Sequence, residues 1–366
     1  MGWLWFGFVA LILLVLTLDL AVVNRRPEAI SVRRAMGFTA FTIVLALAFA
    51  FLVYWLYETD YHGIASSRPD KDAITGVQAT AQYLNAWVIE YALSLDNILV
   101  IALIFRYFTI PPKYQHRVLF WGILGALVMR GAMIGAGTLL VQSFEWVLYI
   151  FGAILLYTAV KILITDEQAI DPEKTIAARL ARRVFPLCPE LDGQKFFTRR
   201  RGVTEATPLF LVLLVIEGTD VIFAIDSIPA AFAITSEPFL VFTSNIFAIL
   251  GLRSMYFALA AVIDRFRFLK VALVFVLGFI GVKMLISRWM HIPPEISLAV
   301  VVSMLAVGIG ASFFAPAKSR RRHEPAGGNH GAMDGSAGVG SAVEKPGPPK
   351  ADSTALQTPA PESSPS

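Results

Sequence analysis

The sequence has little of what disulfide-rich secreted proteins, thiolate metal sites and soluble enzymes are built from. Cys188 is the single cysteine of 366 residues, which excludes an intramolecular disulfide and a multi-thiolate metal site. Only 16% of the residues are charged, too few to cover the surface of a soluble protein of this length. The 31 basic residues nearly balance the 27 acidic ones, so we expect no nucleic-acid partner.

Apolar residues are abundant instead, at 56% of the chain, and they come in blocks of the length that crosses a bilayer, about 20 residues. We therefore predict an all-α, polytopic membrane protein with about nine transmembrane helices. The predicted spans are residues 3–23, 36–57, 80–105, 118–140, 145–164, 207–233, 240–262, 268–288 and 296–315.

Lysine and arginine concentrate in alternate connections between these spans, which predicts orientation because basic loops stay on the cytoplasmic side. We expect a multi-pass protein of the bacterial inner membrane, surrounded by lipid, with its N-terminus outside and its C-terminus in the cytoplasm. The basic loop 165–206 is where protein partners would dock. Residues 317–366, rich in proline, glycine and serine, predict a disordered cytoplasmic tail.

Two segments repeat each other. YALSLDNI at 91–98 aligns with VIFAIDSI at 221–228, and two further matches follow in the same order in the next two spans. A unit of three spans crosses the membrane an odd number of times, so its second copy would insert upside down, as in many secondary transporters. The predicted organisation is two N-terminal helices at 1–79, a first repeat at 80–164, the loop 165–206, a second inverted repeat at 207–290 and a last helix at 291–316.

Several acidic and polar residues lie inside the repeated spans, where a charge costs roughly 2.5–3.5 kcal/mol on insertion scales. Such residues are functional by default, so we predict a metal-ion site at the repeat interface, with buried arginines as charge partners. An alternative is that these acids and arginines are structural ion pairs without a ligand. The predicted site comprises Glu90, Asp96, Asn97, Glu217, Asp220, Asp226 and Ser227, and the charge partners are Arg130 and Arg253.

Helix geometry constrains this site. Asp220 and Asp226 are six residues apart and therefore about 120° apart on a regular helix. Either the helix is interrupted, as Pro229 suggests, or the site spans the interface between the repeats. The available ligands are carboxylate, amide, hydroxyl and carbonyl oxygens, which favour Mg²⁺, Ca²⁺ or Mn²⁺ over softer metals.

The segments EYALSLDN and EGTDVIFAIDSIPA, together with LTLDLAVVNRR near the start, closely resemble the TerC family and its Alx-like branch, over about residues 1–316. The resemblance implies kinship with the LysE transporter superfamily and export of Mn²⁺ from the cytoplasm. It also implies a link to tellurium resistance. The family's acidic motif residues fall on the seven predicted site residues.

Expelling a divalent cation against an inside-negative potential costs about 4.6 kcal/mol per 100 mV, twice the single-charge figure. The chain contains no GxxxxGK[ST] nucleotide-binding loop, so we expect exchange for protons. We expect no enzymatic activity and no prosthetic group. Two intramembrane aspartates also occur in aspartyl proteases, but FAID stands here in place of their GxGD motif. A further alternative is a membrane factor that hands metal to exported proteins or assists their assembly.

Overall fold

The computed structural model describes residues 2–23, 32–66, 74–144, 146–164, 179, 183, 185–200, 202–259, 268–290 and 292–314. The predicted tail at 317–366 and much of the loop 165–206 lie outside these residues. So do the side chains of Asp96 and Arg253, although both positions belong to helices.

The described residues form nine long helices, and each of the predicted spans coincides with one of them. The helices are α1 (Gly2–Val23), α2 (Val32–Glu58), α3 (Gly76–Tyr107), α4 (Pro112–Ser143), α5 (Val147–Ile164), α6 (Pro208–Phe232), α7 (Pro238–Leu259), α8 (Leu269–Ile286) and α9 (Pro294–Phe314). Seven of them, all except α1 and α8, are long and apolar enough over their described residues to cross a membrane. The prediction of an all-α polytopic membrane protein is confirmed.

The starts of several helices follow from local sequence. Proline opens α4, α6, α7 and α9, where its missing N–H has no helical partner to lose and its fixed φ suits the first turn. At α3, the Thr75 side chain accepts a hydrogen bond from the Gln78 backbone N–H, and the Gln78 side chain accepts one from the Thr75 N–H. This capping box fixes the start of α3, the longer of the two helices that carry the predicted site residues.

The two predicted repeats pack against each other through equivalent helices. The first helix of each repeat packs on the second helix of the other, as α3 on α7 and α6 on α4, and the third helices α5 and α8 pack on each other. Gly152 and Gly281 allow the α5–α8 contact, because a Cβ at Gly281 would lie 3.0 Å from the Gly152 carbonyl oxygen. These contacts stay the same when the two repeats are interchanged, as a two-fold relation between them requires. That the second repeat inserts in the inverted orientation stays a prediction.

A β-hairpin that the sequence analysis did not predict precedes α6. Strand β1 (Phe197–Arg200) pairs antiparallel with β2 (Val203–Ala206). Gly202 makes the turn with φ of 83°, a conformation that glycine adopts without strain. The ring of Phe197 contacts that of Phe210 at 4.5 Å between centroids, which anchors the hairpin on the first turn of α6.

Beside this hairpin, Asp192 accepts hydrogen bonds from the Thr198 hydroxyl at 2.8 Å and from the Lys195 ammonium at 3.1 Å. These hydrogen bonds, that of Thr198 foremost, hold the pKa of Asp192 below its ordinary value because they favour the ionised carboxylate. The part of the predicted loop that precedes α6 is therefore ordered by specific polar contacts.

Candidate metal-ion site

Arg130 of α4 is the centre of the polar interior and has no exposed surface. Its Nε and Nη2 donate to the two carboxylate oxygens of Asp220 on α6, at 3.1 and 2.9 Å. Its Nη1 donates to Oε1 of Glu90 on α3, which is itself 2% exposed. The paired contact with Asp220 is the fork-like geometry in which arginine binds carboxylates most strongly.

Two neutral side chains also accept hydrogen bonds from the guanidinium. Nη1 also donates to Oδ1 of Asn245 on α7 at 3.1 Å and to the Ser227 hydroxyl on α6 at 3.4 Å. Together with Arg130, Glu90 and Asp220 these residues form what we call the Arg130 network. The network ties four helices together and places two carboxylates against one cation, so an ionised network carries a formal charge of −1.

A pocket lies next to this network, between α3, α4, α6 and α7. Its polar lining is Asn97, Glu217, Thr219 and Asp220, and its remaining walls are apolar side chains and Gly122. Both carboxylate oxygens of Glu217 are buried and have no hydrogen-bond partner in the part of the chain that the structure describes. We call this the Glu217 pocket.

Glycine makes room for the Glu217 carboxylate. A Cβ added at Gly125 of α4 would lie 2.2 Å from Glu217 Oε1, a distance at which one of the two must move. All three nearest atoms belong to the end of the Glu217 side chain, so a methyl group at position 125 would displace this carboxylate. The result is an acidic group held against backbone in an apolar surrounding, next to the oxygens of Asp220 and Asn97.

Asp226 lies apart from the Arg130 network. Its Oδ1 accepts a hydrogen bond from the Thr158 hydroxyl of α5 at 2.7 Å, whereas the adjacent Ser227 turns toward Arg130. The 120° helical separation between Asp220 and Asp226 thus directs the two carboxylates to different neighbours. The predicted arrangement, in which both aspartates complete one site with Glu90, differs from the structure in this respect.

Interruption of α6 at Pro229, one of the two alternatives that the sequence left open, is wrong. The helix continues through Pro229 to Phe232, and the Ala233 N–H bonds the Pro229 carbonyl at 2.9 Å. Neighbouring helices pack on this turn, where Ser227 to Phe232 are all buried, and such packing supports a proline within a transmembrane helix. The other alternative, a site that spans the interface between the repeats, stays a prediction.

Among the side chains that the structure describes, no three of histidine, cysteine, aspartate and glutamate converge as a metal cluster. The Asp96 and Arg253 side chains lie outside this description, and Asp96 is placed only by its register, six residues after Glu90 on α3. Metal binding by the seven predicted residues stays a prediction.

Sequence reasoning missed Asn245 and Thr158, which contact Arg130 and Asp226. Each is a polar residue in an apolar span, in TSNIFAIL and LLYTAVKI, and that is the signal by which both could have been found. Isolated threonine and asparagine are common in transmembrane helices, where they often serve packing alone, so the signal is weak without a structure.

Comparison with known proteins gives the family of the chain. A sequence profile described as "Integral membrane protein TerC family" matches residues 75–321. The "Uncharacterized membrane protein STKORF319" of Myxococcus xanthus is 43% identical over 322 residues, which cover 88% of this chain and 94% of that protein. The "Putative membrane-bound redox modulator Alx" of Salmonella typhi is 43% identical over 305 residues, covering 83% of this chain and 92% of that protein.

The Alx protein of Escherichia coli strain K12, which carries the same name, is 43% identical over 307 residues, covering 83% of this chain and 92% of that protein. No solved structure matches the chain. The profile match, the relatives and the apolar helices agree: this chain belongs to the TerC family of integral membrane proteins.

Proposed function

We propose that this protein is a membrane transporter that exports a divalent metal cation, Mn²⁺ in particular, in exchange for protons. The observation that carries the proposal is the Glu217 pocket. There, the Glu217 carboxylate is buried without a hydrogen-bond partner among the described side chains. It adjoins Asn97 and Asp220, and Arg130 orients the oxygens of Asp220. An unpaired carboxylate is costly to bury, and a cation that enters the pocket offsets this cost.

The balance of charge supports a cation as cargo. Among the described side chains, Glu90 and Asp220 share the guanidinium of Arg130, and a third carboxylate, Glu217, lines the pocket beside Asp220. These groups can therefore accept further positive charge. Oxygen-only ligands suit hard divalent cations, and the choice of Mn²⁺ among them comes from the resemblance to the Alx-like branch. The cost of expelling such a cation, about 4.6 kcal/mol per 100 mV, requires coupling, and protons are the partner that carboxylates can carry.

The name of the Alx relatives raises a redox role as a question for this chain. Thiol–disulfide chemistry within one chain needs two cysteines, and this sequence has only Cys188, which is 2% exposed. A redox phenotype would then follow from a change in cytoplasmic metal. Tellurium resistance, which the resemblance implies, has the same indirect explanation in this proposal.

The test is Mn²⁺ efflux from cells that express the wild type, Glu217→Gln or Asp226→Asn, with cytoplasmic metals measured by mass spectrometry. Glu190→Gln is the matched control, because Glu190 is an exposed carboxylate near the hairpin and its side chain is 72% exposed. We expect the wild type and Glu190→Gln to lower cytoplasmic Mn²⁺ equally. Both intramembrane variants should lose at least about tenfold of the efflux rate, since each removes a carboxylate charge from within α6.

If Glu217→Gln transported Mn²⁺ at the wild-type rate, the Glu217 carboxylate would have a structural role and no role in transport. The exchange for protons is tested separately, by measuring Mn²⁺ efflux from proteoliposomes across which a pH gradient is imposed. If the rate of Mn²⁺ efflux did not depend on the pH gradient, the protein would be a metal transporter that does not exchange protons.

A further inference from the structure

One end of the Arg130 guanidinium has more hydrogen-bond acceptors around it than it has hydrogens to donate. Nη1 carries two hydrogens, yet three oxygens lie within hydrogen-bonding distance of it: Glu90 Oε1, Asn245 Oδ1 and Ser227 Oγ. The opposite edge, Nε and Nη2, donates to both carboxylate oxygens of Asp220. The acceptors around Nη1 therefore draw the guanidinium away from Asp220.

Within the Arg130 network, Asp220 is the member that reaches the Glu217 pocket. Its side chain is 15% exposed and lines the pocket, whereas those of Glu90 and Arg130 are 3% and 1% exposed and do not line it. Asn245, itself 1% exposed, does not line the pocket either. A cation in the pocket would therefore share the Asp220 carboxylate with the guanidinium, and Asn245 would contact the guanidinium alone.

A cation and the guanidinium can bind Asp220 together, but each weakens the hold of the other. Every carboxylate oxygen has two lone pairs, and the guanidinium uses one on each oxygen of Asp220. The two positive charges repel each other across the shared carboxylate. The affinity of the pocket for a cation therefore falls as Arg130 is held more tightly against Asp220, and it rises when Nη1 is drawn the other way.

The amide of Asn245 makes its contact with Arg130 at a cost to stability. Its Nδ2 is buried and has no hydrogen-bond partner in the part of the chain that the structure describes. A leucine would occupy a similar volume without leaving a donor unpaired, so packing alone does not explain an asparagine at this position. What the amide gains is the hydrogen bond that Oδ1 accepts from Arg130 at 3.1 Å.

We propose that Asn245 is a positioning residue that sets the cation affinity of the Glu217 pocket by drawing the guanidinium of Arg130 away from Asp220. A transported cation must bind well enough to enter its site and weakly enough to leave it. Two acceptors that compete for one guanidinium provide such an intermediate affinity. The inference rests on the proposed function for the identity of the cargo, but the effect of Asn245 is measured by binding, without transport.

The test is the dissociation constant of Mn²⁺, measured by titration calorimetry on the purified full-length protein in detergent. We expect it to rise at least about fivefold in Asn245→Leu, because a hydrogen bond to a charged group is lost. Asn85→Leu is the matched control, since Asn85 is a buried asparagine that does not line the pocket. Its dissociation constant should stay within about twofold of the wild type.

A conservative variant distinguishes positioning from packing. Asn245→Asp keeps an oxygen at the same place and strengthens its contact with the guanidinium. We therefore expect this variant to bind Mn²⁺ at least as tightly as the wild type. If Asn245→Asp and Asn245→Leu weakened binding equally, the loss would come from altered packing, and the inference would be overturned.

A background without the guanidinium tests whether Asn245 acts through Arg130. Arg130→Met combined with Glu90→Gln removes one charge of each sign and leaves the carboxylates of Asp220 and Glu217 in place. In this background Asn245→Leu should change the dissociation constant by less than about twofold, because the group that it positions is gone. A fivefold rise in this background as well would contradict the inference.

The same measurements separate this inference from the proposed function. If the wild type bound Mn²⁺ and Asn245→Leu bound it equally well, the role of Asn245 would be refuted and the proposed export would stand. If the dissociation constants shifted as expected but cells showed no Mn²⁺ efflux, export alone would be refuted. A wild-type protein that bound none of Mn²⁺, Mg²⁺ and Ca²⁺ would refute both.

Discussion

The Arg130 network gives the sharpest prediction about stability. Replacing Arg130 by methionine keeps much of its apolar length and removes the guanidinium that binds Glu90 and both oxygens of Asp220. Breaking a buried ion pair by removing one partner costs about 3–5 kcal/mol, because the remaining charge is buried without compensation. Here two carboxylates lose their partner, which places the expected loss of unfolding free energy at the upper end of this range, about 5 kcal/mol.

The assay is unfolding in detergent micelles by dodecyl sulfate titration, followed by the fluorescence of the seven tryptophans. Arg106→Met is the matched control, because Arg106 is an exposed arginine on α3 and its replacement should change the free energy of unfolding by no more than about 0.5 kcal/mol. A triple variant, Arg130→Met with Glu90→Gln and Asp220→Asn, removes the charges together. We expect it to recover the loss to within about 2 kcal/mol of the wild type.

We expect the free energy of unfolding to be highest for the wild type, lower for the triple variant and lowest for Arg130→Met alone. If Arg130→Met alone were as stable as the wild type, the guanidinium would not be compensating buried carboxylates. If the triple variant were no more stable than the single one, the loss would come from packing rather than from charge.

Two further predictions concern the Glu217 pocket and the hairpin. Gly125→Ala should reduce Mn²⁺ efflux at least about tenfold, because a Cβ at 2.2 Å from Glu217 Oε1 displaces the carboxylate from its position in the pocket. Gly135→Ala on the same helix, where a Cβ meets nothing within 4 Å, should match the wild type. Since Thr198 and Lys195 lower the pKa of Asp192, the resulting stabilisation is full above the ordinary aspartate pKa of about 3.9 and is lost as the pH falls through the lower, folded-state value. Pepsin cleavage within residues 185–206 should therefore accelerate below about pH 4 in the wild type but not in Asp192→Asn, and identical profiles would contradict the assignment.

The sequence by itself determined the helices and the positions of the acids. An apolar block near 20 residues long has one stable form in a bilayer, because only a helix satisfies every backbone group within one segment. Each predicted span therefore coincides with a helix. Glu90, Asp220 and Asp226 were recognisable for a related reason: a carboxylate inside such a span is too costly to be there by chance.

Only the tertiary structure decided which groups meet. Arg130 binds Glu90 and Asp220 and leaves Asp226 to Thr158, a choice set by helical phase and by the neighbours that α4 and α5 bring to each face of α6. The continuity of α6 through Pro229 was equally out of reach, because the packing of other helices supports that turn. Residue spacing fixes directions along one helix, whereas contacts between helices depend on how all of them pack at once.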